Sequence, residues 1–179
     1  MLEKQKQTAS SPGRTLSGQE VRRISRFRLD KKIKIATWNV RTLFAAGKLN
    51  NLMQEMERMR VSILGVSEVR WPNSGVTRSK DKVFYYSGTD DADRNHRHGV
   101  GILIEGSLQK SVKDFVPISE RVALLRLCGG PIDINIIQVY APTSEKPDNE
   151  VEQFYGQIEQ AIKLTKSNEI NIILGDLNA

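Results

Sequence analysis

Short apolar runs bounded by turn-forming residues recur from Ile33 to Leu174, and two of the intervening stretches change to a rhythm of three and four residues. Ile33 to Trp38, Val61 to Val66, Val83 to Tyr86, Gly99 to Ile104, Ser111 to Val116, Arg121 to Leu127, Ile132 to Tyr140 and Ile170 to Leu174 combine β-branched and large apolar residues in strand-length segments. Leu49, Leu52, Met53, Met56 and Met59 fall on one face of a predicted helix, with Glu55, Glu57 and Arg58 elsewhere, so the methionines read as core-facing. After Pro142 a second helix gathers Val151, Phe154, Tyr155, Ile158, Ala161 and Ile162 on one stripe. Gly129-Gly130 predicts a hairpin turn. Many strands with few helices between them predict an α/β or α+β domain built on sheets.

That pattern is absent from residues 1–30, which are rich in Lys, Arg, Ser, Gln and Thr. Such a composition buries too little surface to offset the entropy lost on ordering, so this stretch is expected to be a flexible basic arm preceding a domain over 31–179. Its cluster Arg22, Arg23, Arg26, Arg28, Lys31 and Lys32 suits phosphates or a nuclear-import address, and equally a solvated tail.

Charge sharpens the picture. With 179 residues and 39% hydrophobic content, the chain has the substance for one core, and its net charge of +6 favours partners that carry phosphates. A single cysteine, Cys128, excludes an internal disulfide and reads as a small filler in a reducing compartment. No apolar run approaches the roughly 20 residues of a membrane helix, and Met1 to Lys6 lacks the apolar stretch of a secretory signal. The expectation is a soluble, intracellular protein, nuclear or cytoplasmic, with no membrane partner.

Polar side chains collect where the apolar runs stop. Trp38-Asn39 ends the first run, Ser67-Glu68 the second, Gln138-Val139-Tyr140 the long one and Asp176-Leu177-Asn178 the last. Strand ends are rigid places from which to present functional groups. Carboxylates such as Glu68 and Asp176 suit Mg²⁺, a hard ion that prefers oxygen ligands and retains waters. Asn39 and Asn178 add uncharged groups that orient water or phosphate oxygens, and Tyr140 has a phenol to donate. Singly, each is more often a cap, a turn residue or packing. Jointly they suit a divalent cation held against a phosphodiester.

Lys34-Ile35-Ala36-Thr37-Trp38-Asn39-Val40, Val66-Ser67-Glu68, His98-Gly99-Val100-Gly101-Ile102, Val139-Tyr140-Ala141-Pro142 and Gly175-Asp176-Leu177-Asn178 resemble, in order, the motifs of the endonuclease/exonuclease/phosphatase superfamily. Within it they are similar to endonuclease domains of RTE-type non-LTR retrotransposons, over about residues 33–179. The resemblance implies an α+β four-layer α/β/β/α sandwich and Mg²⁺-dependent phosphoester hydrolysis, with Mn²⁺ as a substitute ion and DNA as partner. It implies Glu68 as metal-binding carboxylate and Asn39 as the amide at the metal site. Tyr140 is then the phenol on the scissile phosphate, Asp176 the acid that positions or deprotonates water, and Asn178 its partner on the transition state. Arg41 stands where apurinic-site repair members often carry an acid, which argues against that repair activity. Family members close with a Ser-Asp-His segment that the present sequence does not contain; His96 and His98 do not match it and read as solvated loop residues. The expectation is therefore a sandwich incomplete on its C-terminal side, with weakened catalysis and association through its open edges. A nicking endonuclease of retrotransposon descent is the leading reading, and a noncatalytic nucleic-acid- or protein-binding remnant is the alternative.

Overall fold

The computed structural model describes residues 24–28, 32–79, 81–89 and 97–178. Most of the predicted basic arm, including Arg22, Arg23 and Lys31, lies outside the described residues, as does His96. In chain order the elements are β1 (Phe27–Arg28), β2 (Ile35–Asn39), α1 (Lys48–Arg58), β3 (Ile63–Ser67), β4 (Ser74–Ser79), β5 (Lys82–Ser87) and β6 (Val100–Glu105). A 3-10 segment at Gly106–Ser111 leads to β7 (Val112–Pro117), β8 (Val122–Leu127), β9 (Gly129–Gly130), β10 (Ile134–Tyr140), α2 (Asp148–Lys163) and β11 (Ile170–Asp176). Two mixed sheets result, one ordered β2-β3-β6-β5-β4 and the other β11-β10-β8-β7. In each, one parallel pair, β2 with β3 and β10 with β11, sits at an edge.

Strand periodicity explains the layering, because alternate residues face opposite sides. From β3, Leu64 and Val66 join Leu52, Met53 and Met56 of α1, while Ile63 joins Leu125, Leu127, Ile134 and Ile136 of the other sheet. On the far side, Leu124, Ile137 and Val139 pack on Phe154, Ile158 and Ala161 of α2. The order is helix, sheet, sheet, helix, as the resemblance implies. Fully buried side chains such as Met56 and Leu124 each contribute about 1.5–3 kcal/mol through area removed from water.

The core stripe of α1 is as the sequence predicts, but that of α2 is narrower. Tyr155 is 61% exposed and Ile162 39%, so only Phe154, Ile158 and Ala161 define the packed face. β4 carries no readable pattern: Ser-Gly-Val-Thr-Arg-Ser is a sheet edge whose one large apolar residue, Val76, points outward. Gly129-Gly130 does lie in the β8–β10 connection, and it also pairs in parallel with Phe27–Arg28. Residues 24–28 are thus fixed to the domain, contrary to a flexible arm running to residue 30. Phe27 reaches the inter-sheet core and its N–H donates to Cys128 O at 3.1 Å.

Candidate active site

Following the inner face of β2, β3, β10 and β11 upward, apolar layers give way to polar ones in register. Ile35 is opposite Ile63, Thr37 opposite Gly65, and Asn39 opposite Ser67. In the facing sheet, Ile134 and Ile136 pair with Ile170 and Ile172, Gln138 with Leu174, and Tyr140 with Asp176. The period of two therefore brings Asn39, Ser67, Gln138, Tyr140 and Asp176 to one end of the sandwich.

Gln138 is fully buried, and its amide needs partners there. Its Nε2 donates to Ser67 Oγ at 3.0 Å, and the Ser67 hydroxyl donates to Val139 O at 3.4 Å. Gly65 makes room for this bridge, since a Cβ at that position would overlap Gln138 Oε1 and approach Leu174 Cδ1 to 2.5 Å.

Above this layer, Asn39 Nδ2 donates to Glu68 Oε1 at 2.7 Å and to Asp176 Oδ2 at 2.8 Å. The Tyr140 phenol donates to Glu68 Oε1 at 3.2 Å, and Arg70 donates to Glu68 Oε2 at 2.8 Å. Burial alone pushes the Glu68 carboxyl up, but hydrogen bonds from Asn39, Arg70 and Tyr140 outweigh it and hold the group below the usual carboxylate range. Burial pushes the Tyr140 phenol up, with the Glu68 charge adding to it. Asp176 Oδ1 accepts from Asn178 N at 3.1 Å, and Asn178 Nδ2 donates to Ala141 O at 2.6 Å. Glu68 Oε1 accepts two of these bonds, whereas Glu68 Oε2 and both Asp176 oxygens accept one each and retain lone-pair capacity.

Backbone conformation concentrates at the same place. Glu68, Arg70 and Asn178 adopt φ of 58°, 57° and 47°, a left-handed region uncommon for residues with side chains. Such conformations cost about 1–3 kcal/mol each and persist where surrounding contacts impose them. Arg70 N donates to His98 O at 2.8 Å, and Thr42 N donates to Glu68 O at 2.8 Å.

All five residues singled out from the sequence, Asn39, Glu68, Tyr140, Asp176 and Asn178, therefore meet at one end. The expectation for His98 is overturned. Its half-buried ring lies 5.8 Å from that of Tyr140, and Arg121 donates to its Nε2 at 3.2 Å. Burial and the Arg121 charge push the imidazole below its ordinary value. Arg121 also donates to Tyr140 O at 3.2 Å and lies over the phenol ring at 5.4 Å. Arg70, Arg121, Ser67 and Gln138 escaped the sequence reading as working parts. The signal available for Arg70 was a cation two residues past Glu68; Arg121 carried none.

The donor set is made of carboxylate, amide and phenol oxygens, the chemistry that suits hard divalent cations rather than soft ones. Among the described residues, no group of three or more His, Cys, Asp or Glu gathers for a metal. The carboxylates that could hold such an ion are Glu68 and Asp176, while the Asn39 amide turns its nitrogen to both and its Oδ1 accepts from Arg41 N at 3.0 Å.

Residues 36–179 match the Endonuclease/Exonuclease/phosphatase family. Craniofacial development protein 2 of Tragulus javanicus is 35% identical over 145 residues, covering 81% of this chain and 25% of that protein. The Bos taurus protein of the same name is likewise 35% identical, with 24% of its length covered, so the chain spans about a quarter of these curated relatives. Among solved structures, the AP endonuclease LMAP from Leishmania major aligns with a TM-score of 0.60 at 17% identity, covering 82% of this chain and 55% of that one. The D. rerio TDP2 complexed with single strand DNA product aligns with a TM-score of 0.56 at 14% identity, covering 82% and 61%. At such identities the structural likeness speaks to the sandwich fold.

Proposed function

The chain belongs to the endonuclease/exonuclease/phosphatase family, and from that premise we propose that its strand-tip cluster hydrolyses phosphodiester bonds of DNA with Mg²⁺, as a nicking endonuclease of retrotransposon descent. The observation that carries this reading is a single amide, Asn39 Nδ2, bonded to both Glu68 and Asp176. It sets two carboxylates from distant chain segments within reach of one hydrated cation and its waters.

Glu68 would hold Mg²⁺, which offsets the charge that builds on the phosphate oxygens. Asp176 accepts the proton of the attacking water, for which it must stand within hydrogen-bond reach of that water. Asn39 orients the Asp176 carboxylate through Oδ2 while Asn178 N holds Oδ1, so the base has little freedom to turn away. The second N–H of the Asn178 amide, beyond the one on Ala141 O, stabilises a non-bridging phosphate oxygen. Tyr140, braced by Arg121, holds its phenol against Glu68, from where its O–H would donate to a phosphate oxygen. The net charge of +6 draws the polyanion to the protein before specific contacts form.

Conversion of supercoiled plasmid to nicked circle in Mg²⁺, comparing the chain with Glu68→Ala, tests the reading. Nicking by the first and a loss of about 10²-fold or more in the second are expected. Equal conversion by both proteins removes it.

A further inference from the structure

At the end of the sandwich away from Asn39, the described part of the basic segment forms one wall of a groove. Ser25 N donates to Lys110 O at 2.8 Å and Phe27 N to Cys128 O at 3.1 Å, so residues 25–28 are held by backbone bonds on two neighbouring segments. The groove, about 380 Å³, runs between this wall and the residues that lead into β2 and β3. Arg26, Arg28 and Lys32 line it with positive charge, and Glu105 is the single acid among the described lining residues. Ser62, Ser107 and Ser111 add hydroxyls, and Phe27, Ile33 and Leu108 form an apolar floor. Ile33 and Asn39 are separated by about 20 Å at the usual rise of an extended strand, so the groove is remote from the carboxylate cluster.

We infer that this groove is a second, noncatalytic nucleic-acid site, in which Arg26 and Lys32 contact a backbone phosphate of a single strand. The inference rests on the nucleic-acid reading of the opposite end. Phosphate oxygens accept from cations and hydroxyls at once, which matches a lining that offers both. The apolar floor takes a sugar or base face, as sites for single strands do when they join a cationic track to an apolar platform. A duplex is too wide to enter a groove of this volume, whereas one sugar-phosphate unit with its base is not. Because the site is fixed to the fold and about 20 Å from the carboxylates, it engages a different part of the nucleic acid from the one being cut. Its occupancy therefore changes affinity and leaves the chemical step alone.

Fluorescence anisotropy of a labelled oligothymidylate without divalent cations tests this on the whole chain across a series of salt concentrations. Arg26→Glu with Lys32→Glu is expected to weaken binding by at least about tenfold and to lower the slope of log affinity against log salt by about 0.7, the share of one phosphate on a single strand. Ser107→Trp fills the groove at constant protein charge and is expected to weaken binding and to lower the slope as well, because the excluded phosphate no longer releases its counterion. The neutral pair Arg26→Gln with Lys32→Gln, closer to the native side chains in size, is expected to lower the slope by the same amount should the reversed pair unfold. Nicking at saturating plasmid is expected to be the same in all three variants. Unchanged affinity and slope in folded variants would overturn the proposal, as would equal binding of a duplex, or loss of polyglutamate binding in place of oligonucleotide binding. Glu68→Ala is expected to bind the oligonucleotide as the unaltered chain does. Absence of nicking by the unaltered chain would remove the catalytic reading and leave this binding result to stand or fall by itself.

Discussion

Asn39 Nδ2 lies 2.8 Å from Asp176 Oδ2, a bond between residues 137 positions apart in the chain. Since the same nitrogen is 2.7 Å from Glu68 Oε1, one neutral amide separates two carboxylates and offers each a donor. Asn39→Asp puts a third acceptor in that place. It leaves like charges facing one another without a proton between them, which disfavours their ionised forms. The variant is expected to lose about 1–3 kcal/mol in urea denaturation, the range for unsatisfied buried polar groups, and to abolish nicking. Asn39→Ala is expected to lose stability to a smaller extent. If Asn39→Asp nicks as the unaltered chain does, the bridging amide has no role in the reaction.

Close approach at Gly65 is testable by a mutant cycle. Overpacking of a well-filled interior costs about 1–3 kcal/mol, and Gly65→Ala is expected to fall in that range because its Cβ would overlap the Gln138 amide. In a Gln138→Ala background the same change is expected to cost markedly less. Additive losses in chemical denaturation would show that Leu174, not Gln138, limits the space.

Away from the strand tips, Glu169 anchors the segment between α2 and β11. Its side chain is 4% exposed, with Arg126 at 3.4 Å and Asn135 donating to it at 3.0 Å. Burial pushes this carboxyl up, but bonds from Asn135 and Lys166 N together with Arg126 and Lys113 win and hold it below the usual range. A carboxyl depressed in the folded state stabilises fully above its unfolded value, about 4.3. That contribution is lost as pH falls through the folded value. Thermal melting of the unaltered chain is therefore expected to fall on acidification below about pH 4.3, and Glu169→Ala to show a shallower fall from a lower starting point. Parallel curves would mean that other carboxylates govern acid unfolding.

Legibility in the sequence follows periodicity and range. Strands buried on both faces, such as Ile63–Ser67 and Ile134–Tyr140, announce themselves as continuous apolar runs, and α1 does so by its methionine stripe. The five polar residues at the strand ends were readable because each directly follows or ends such a run, and register then brings them together. Ser74–Ser79 was hidden because an edge strand with one apolar residue needs its partner β5 to define it. Tyr155 and Ile162 were misread because helical spacing names a stripe but not its width. His98 and Arg121 were missed for a different reason: their contact exists only after β6 and β8 approach across the two sheets, and nothing local records it.

His98 carries the last prediction. Arg121 only donates, so at 3.2 Å the His98 Nε2 must be the acceptor, which assigns the proton of the neutral ring to Nδ1. A second positive charge on the imidazole would be both half-buried and beside a guanidinium, and burial first, then Arg121, hold its value below the ordinary 6.5. With the folded value depressed, the contribution of the neutral ring is complete above 6.5 and declines as pH falls toward the folded value. By NMR, the imidazole resonance that disappears in His98→Gln is expected to titrate with a midpoint below 6.5. Arg121→Gln is expected to move that midpoint upward, and to impair nicking through kcat more than through KM because Tyr140 loses its brace. A His98 midpoint at or above the ordinary value would place the ring in solvent and detach it from Tyr140, and the positioning role of Arg121 would fall with it.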